Sequence, residues 1–270
     1  MRFCVNVSIL CQEVPLLERF RRAREAGFSA VEFWWPSGAD LDEVEAAVKG
    51  AGLNVALFNF FAGNMATGDR GLLSDPKRQQ EFRDNVPVAL DLAGRLECPR
   101  LNALVGQELP GASREERLQL ARENIAWAAD QAARQGAEVM VEACNTFENG
   151  SYLLYTTEDA AQFVESVGKE NVKLQYDVYH MQRMEGNLVA TLRKHIGQIT
   201  HVQVADSPGR GEPGTGEIHY PYVFAALEEL GYEGYVGLEY NPTRPTTEES
   251  FGWLPEQARG GDVGSEALEL

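Results

Sequence analysis

Residues 172–186, VKLQYDVYHMQRMEG, decide the reading of the chain because the hydrophobic period changes within them. Leu174, Tyr176 and Val178 alternate with Gln175 and Asp177, as in a β-strand, and after His180 the spacing of Leu188, Leu192 and Ile196 is helical. A strand that passes into a helix with a carboxylate, a histidine and an arginine at the join reads as a βα junction with a site on it. In a barrel of alternating strands and helices the chemistry sits on loops leaving the C-terminal ends of strands, so Asp177 and His180 stand where a site is expected. A single Asp ending a strand is more often a helix cap. The functional reading therefore depends on recurrence.

The same rhythm extends in both directions. Strands are expected at residues 2–10, 30–35, 54–60, 100–105, 138–144, 199–206 and 235–240, with the opening stretch as the sixth of eight. Helices are expected at 15–26, 40–51, 75–97, 157–167 and 221–230, and a long one is capped by Ser113, on which Leu118, Ala121, Ile125, Ala128 and Ala132 form an apolar stripe. Eight alternating units predict an α/β protein consisting of a single (β/α)8 barrel, a TIM barrel, over residues 1–258; an open doubly wound sheet is the alternative. Residues 259–270 read as a flexible tail. The long glycine-rich loop AGNMATGDRG, residues 62–71, is expected to cover something.

Composition agrees with one barrel: 270 residues, 44% of them hydrophobic, against the ~250 typical of that fold. The net charge of −17 argues against a nucleic-acid partner and against an anionic membrane surface. No apolar run approaches spanning length, and the start MRFCVNVSILCQE lacks the features of a signal peptide. Cys4, Cys11, Cys98 and Cys144 form no Cys-x-x-Cys pair and read as reduced core thiols of a cytoplasmic protein. No dinucleotide or P-loop glycine pattern is present.

Recurrence appears at the ends of the last four strands, which carry Glu142, Asp177, Gln203 and Glu239, spaced by 35, 26 and 36 residues. Each is flanked by apolar residues, so the flanks face the helices and the four polar side chains face the barrel axis. Three anionic groups converging with an amide in one mouth would repel one another unless a cation held them, and hard oxygen donors suit Mg²⁺ or Mn²⁺ better than Zn²⁺.

Long motifs then carry a resemblance. YDVYHMQRMEG (176–186) and HVQVADSPGRGEPGTGEIHY (201–220), with shorter matches in AGNMATGDRG, EFRD, LVG and GLEY, resemble the hydroxypyruvate isomerase family of the xylose-isomerase-like barrel superfamily. The similarity covers the chain to about Trp253. It implies metal ligands at Glu142, Asp177, Gln203 and Glu239, with Glu142 and Glu239 also moving the proton, and it implies interconversion of hydroxypyruvate and 2-hydroxy-3-oxopropanoate (tartronate semialdehyde) through an enediolate. Relatives commonly have Pro and Ile where EACN has Ala143 and Cys144, and the loop WWPSGAD lacks their tyrosine-aspartate pattern. Neighbouring activities therefore stay open: 2-oxo-tetronate isomerase, ketose 3-epimerase (which typically has His where Gln203 stands), or a non-catalytic sugar-binding relative.

The chemistry also suggests roles for two further side chains. Arg210, in the loop after strand seven, is suited to hold a substrate carboxylate with its planar fork, and His180 to donate a hydrogen bond to a substrate oxygen, though a backbone-bonded helix-start histidine is equally compatible. His201 reads as a buried residue below the mouth, and Glu212 and Glu217 receive no role. A superfamily DNA-repair nuclease would need a cluster of zinc-binding histidines and a basic face; the chain has four histidines and is strongly acidic. The expected partner is a small hydroxy or keto acid or sugar, and a homo-oligomer is compatible with the sequence.

Overall fold

The computed structural model describes residues 1–270 and contains eight parallel strands, β1 (Arg2–Asn6), β2 (Ala30–Phe33), β3 (Asn54–Asn59), β4 (Arg100–Asn102), β5 (Glu138–Glu142), β6 (Val172–Asp177), β7 (Ile199–Val204) and β8 (Tyr235–Leu238). They pair in chain order and close on themselves through β1 and β8, from Arg2 opposite Tyr235 to Val5 opposite Leu238. The closed barrel is the expected one, and the open sheet is excluded. Helices α1 (Leu16–Glu25), α2 (Leu41–Ala51), α3 (Gln79–Arg95), α4 (Arg114–Ala132), α5 (Thr146–Asn149), α6 (Thr157–Val167), α7 (Val178–Met184), α8 (Leu188–His195), α9 (Tyr220–Glu229) and α10 (Glu256–Arg259) surround it. One continuous apolar cluster joins the outward faces of the strands to the helices.

The strands end earlier than the apolar runs suggest. β1 stops at Asn6, not residue 10, because the Asn6 side chain accepts from the Ser8 N–H (3.0 Å) and its carbonyl from the Leu10 N–H (2.9 Å), which turns the chain. α7 begins at Val178, before the helical spacing expected after His180, because Asp177 Oδ1 accepts from the backbone N–H groups of Tyr179 (2.8 Å) and His180 (3.1 Å). Ser113 caps α4 in a capping box with Glu116. Residues 259–270, expected to form a flexible tail, run past the start of β1, where Asp262 pairs with the Met1 ammonium (2.5 Å) and the Val263 N–H donates to the Met1 carbonyl (3.0 Å).

Candidate active site

The four strand-end residues lie at the C-terminal mouth of the barrel, each 5% exposed or less. Glu142 Oε2 accepts from Asn102 Nδ2 (2.9 Å). Asp177 is both a cap and a mouth residue: Oδ1 is used by α7, and Oδ2 lies 3.7 Å from His180 Nε2. Gln203 donates through Nε2 to Glu32 (2.6 Å) and accepts at Oε1 from Gln175 Nε2 (2.6 Å). Glu239 Oε1 accepts from Asn6 (3.0 Å) and Trp34 Nε1 (2.8 Å), and Oε2 from Arg210 (2.7 Å).

Burial, followed by the charges of Glu239 and Asp177, pushes the Glu142 carboxyl well above the usual range. Burial likewise raises Glu239 to about 7; Arg210 opposes the rise, while Asp177 and Glu32 add to it. Two acids that resist ionisation side by side mark a place where either protons or a cation must be held. The donor chemistry fits a hard divalent cation: Glu142, Glu239 and Asp177 Oδ2 offer carboxylate oxygens, and Gln203 Oε1 keeps a second lone pair beside the bond it accepts from Gln175. The mouth group whose ligand atoms all lie within 4.8 Å of one another is Glu142, Cys144 and His180, however, and Glu239 is drawn toward Arg210.

His180 is fixed in one tautomer by its neighbours. Asn145 Oδ1 accepts from the Glu148 N–H (2.9 Å), so its Nδ2 is what faces His180 Nδ1 at 2.7 Å. The Nδ1 lone pair is therefore used, and Nε2–H points between Glu142 (3.8 Å) and Asp177 (3.7 Å). Burial lowers the imidazole to about 4, against a weaker opposing pull from Asp177. His180 thus presents an N–H donor to the mouth, with its one lone pair already engaged by Asn145.

Arg210 occupies left-handed backbone at φ 54°, a conformation that costs a non-glycine residue on the order of 1–3 kcal/mol. Its guanidinium lies over the Tyr179 ring (5.3 Å), with one terminal nitrogen on Glu239 and the other 3.3 Å from Glu148, which Tyr179 also holds (2.6 Å). Its Nε–H is buried without a partner, a donor left for a ligand. Glu212 ties its loop to the one after β8 through Thr243 (2.7 and 2.9 Å). Glu217 accepts from Gln182 and Ser207, each at 3.3 Å.

A cavity of about 300 Å³ opens over these groups, bounded by Trp34, Glu142, Gln175, His180, Arg210 and Glu239. A second, of about 520 Å³, adjoins it across Trp34, Asn59 and Met65, roofed by the glycine-rich loop and lined by Trp35, Phe60 and Phe61. The sequence reading missed Trp34, Gln175, Asn145, Glu148 and Glu32. Gln175 and Glu32 had a usable signal: each is polar at an inward position of a strand whose other face is apolar. Below the mouth, Glu32, Cys4 and His201 form a fully buried group.

The family model for the xylose isomerase-like TIM barrel matches residues 20–257. The chain is 40% identical to a hydroxypyruvate isomerase of Escherichia coli K12, over 94% of this chain and 98% of that one. It is 39% identical to a 2-oxo-tetronate isomerase of Cupriavidus necator, over 94% and 97%. Among solved structures, one described as an AP endonuclease of family 2 from Brucella melitensis superposes with a TM-score of 0.89 at 43% identity, over 93% and 97%.

Proposed function

The chain belongs to the xylose isomerase-like TIM barrel family and is an isomerase, and from that premise we propose that it interconverts hydroxypyruvate and 2-hydroxy-3-oxopropanoate, with Glu142 and Glu239 moving the proton. The observation that carries this reading is the pair of buried glutamates at the mouth, both hard to ionise. Buried carboxyls crowded by like charge are where proton-transferring groups are expected.

Each residue then has a task. Arg210 holds the substrate carboxylate through its unpartnered Nε–H. One glutamate takes a proton from the carbon bearing the hydroxyl, the hydroxyl hydrogen passes to the former carbonyl oxygen, and the other glutamate returns a proton to the neighbouring carbon. His180 donates its Nε2–H to the oxygen on which negative charge gathers as the enediolate forms, and it can do so because Asn145 occupies Nδ1 and leaves the proton on Nε2. A divalent cation, Mg²⁺ or Mn²⁺, held by Glu142, Asp177, Gln203 and Glu239, would supply Lewis-acid polarisation of the substrate oxygens.

The adjoining cavity of about 520 Å³ favours a second reading, a four-carbon 2-oxo-tetronate, whose extra carbon that space would take. The nuclease description of the Brucella structure finds no support in a chain of net charge −17. No helix is long and apolar enough to cross a membrane. The four cysteines are buried and unpaired, which suits a reducing cytoplasm.

Proton NMR in D₂O tests the reading directly, with hydroxypyruvate, a 2-oxo-tetronate and four- to six-carbon ketoses, each with Mg²⁺, with Mn²⁺ and after chelation. The expected result is cation-dependent deuterium incorporation and product from the three-carbon acid. Turnover of ketoses alone would overturn the substrate, and full activity in metal-free protein would overturn the cation.

A further inference from the structure

Glu32 is 0% exposed at the barrel axis, a place that branched apolar side chains usually fill. It accepts four hydrogen bonds: from Asn6 (3.0 Å) and Gln203 (2.6 Å) at Oε1, and from Cys4 (3.3 Å) and His201 (2.6 Å) at Oε2. The chain makes room for it, because a Cβ at Gly237 on β8 would collide with its carboxylate. A buried carboxylate is weak evidence of stabilisation, since an apolar replacement often serves as well. What it does provide is polarity: it can only accept.

That polarity passes on through two amides. The Gln203 NH₂ must face Glu32, so its Oε1 faces Gln175, and the Gln175 NH₂ must face Gln203 (2.6 Å). The relay ends on Gln175 Oε1, which is buried and has no partner, on a residue that lines the mouth cavity. An orphaned buried carbonyl oxygen is costly, and its place beside the reaction site is where a ligand donor would satisfy it.

We propose that Gln175 is a substrate-positioning residue whose Oε1 accepts a hydroxyl hydrogen of the bound hydroxy acid, and that Glu32, acting through Gln203, holds it in that polarity. This rests on the reading of the mouth as a site for small hydroxy acids. A neutral glutamine at position 32 would bring its own NH₂ into the cluster, so the two amides above could turn and offer the ligand a donor in place of an acceptor.

The test uses two unreactive competitors, glycerate and lactate, which differ by the terminal hydroxyl, with inhibition constants measured against the isomerisation and binding checked by calorimetry. The wild type is expected to prefer glycerate about ten-fold, the worth of one hydrogen bond. Gln175→Met keeps the volume and loses the acceptor, so the preference should fall to near one-fold. Glu32→Gln should lower it too, although it touches no ligand. A purely structural role would weaken both competitors alike and leave the ratio unchanged. An unchanged ratio in Gln175→Met overturns the proposal, and should that variant not fold, an unchanged ratio in Glu32→Gln does so. If the wild type binds neither acid, the hydroxy-acid reading falls first.

Discussion

Glu32 and Glu239 are both buried glutamates inside the same barrel, and they share a donor, since Asn6 Nδ2 lies 3.0 Å from an oxygen of each. Their environments send them in opposite directions. Burial pushes Glu32 up, but the charge of His201 and hydrogen bonds from His201, Gln203 and Asn6 outweigh it and leave the group below the usual carboxylate range. Glu239 has one cationic partner, and two further carboxylates, Asp177 and Glu32, act against it, so it rises to about 7. A charge cluster that closes on itself positions neighbours; one that remains unbalanced is suited to a ligand or to proton transfer.

Removing a mouth carboxylate should stop turnover. Glu142→Gln and Glu239→Gln should each lower kcat about 1,000-fold while the fold is kept. Their residual behaviour should differ: a variant lacking only the reprotonating base can still exchange substrate hydrogen with D₂O. Bound metal must be measured in both, because a lost ligand imitates a lost base. Near-wild-type isomerisation in a metal-replete variant would remove that glutamate from the proton path.

His180 comes next. His180→Ala should lower kcat about 100-fold through the lost oxyanion donor. Because His180 titrates at about 4, the wild-type kcat/KM profile should show no histidine step near 6.5, and the variant should run parallel to it from pH 5.5 to 8. A step near 6.5 that disappears in His180→Ala would make it a base after all. Arg210→Lys is smaller still: KM about ten-fold higher on an acid substrate and kcat less affected, since the charge remains and the Nε–H donor is lost. Unchanged kinetics would take Arg210 away from the carboxylate.

Much of this mouth is legible in the sequence because a parallel barrel converts strand ends into a ring. Glu142, Asp177, Gln203 and Glu239 are found by asking what ends each strand, with no knowledge of how the ends face one another. Alternation tells which face a side chain takes and not what lies across the axis. Glu32, within the short run AVEF, gives no hint that it reaches over β1 and β8 to His201 on β7, and Gly237 gives none that it makes the space. Asp177 shows a second limit: one carboxylate caps α7 with one oxygen and faces the mouth with the other, so cap and site were never exclusive. The tautomer of His180 depends on Asn145, three residues past Glu142, whose role follows from a backbone bond at Glu148 that no motif records.

Two groups of the mouth oppose each other in the stability of chelated protein. Glu239 has a folded value of about 7 against an ordinary 4.5, so the stability it contributes is complete below 4.5 and is lost as pH rises toward 7. His180 is depressed to about 4 from 6.5, so its contribution is complete above 6.5 and is lost as pH falls through about 4. Between pH 4.5 and 6.5 the two nearly cancel, and Glu142, also raised, tips the balance toward a shallow fall. Melting temperatures of chelated protein across that window should therefore decline by a few degrees. His180→Ala should decline more steeply, and Glu239→Gln should be flat, with His180 left to balance Glu142. Saturating Mg²⁺ or Mn²⁺ should raise the wild-type curve, most at the high-pH end where the carboxylates are easiest to ionise. Identical pH slopes in the wild type and both variants would mean that these groups are not strained by burial. Glu239 would then resemble Glu32, a carboxylate satisfied by its neighbours.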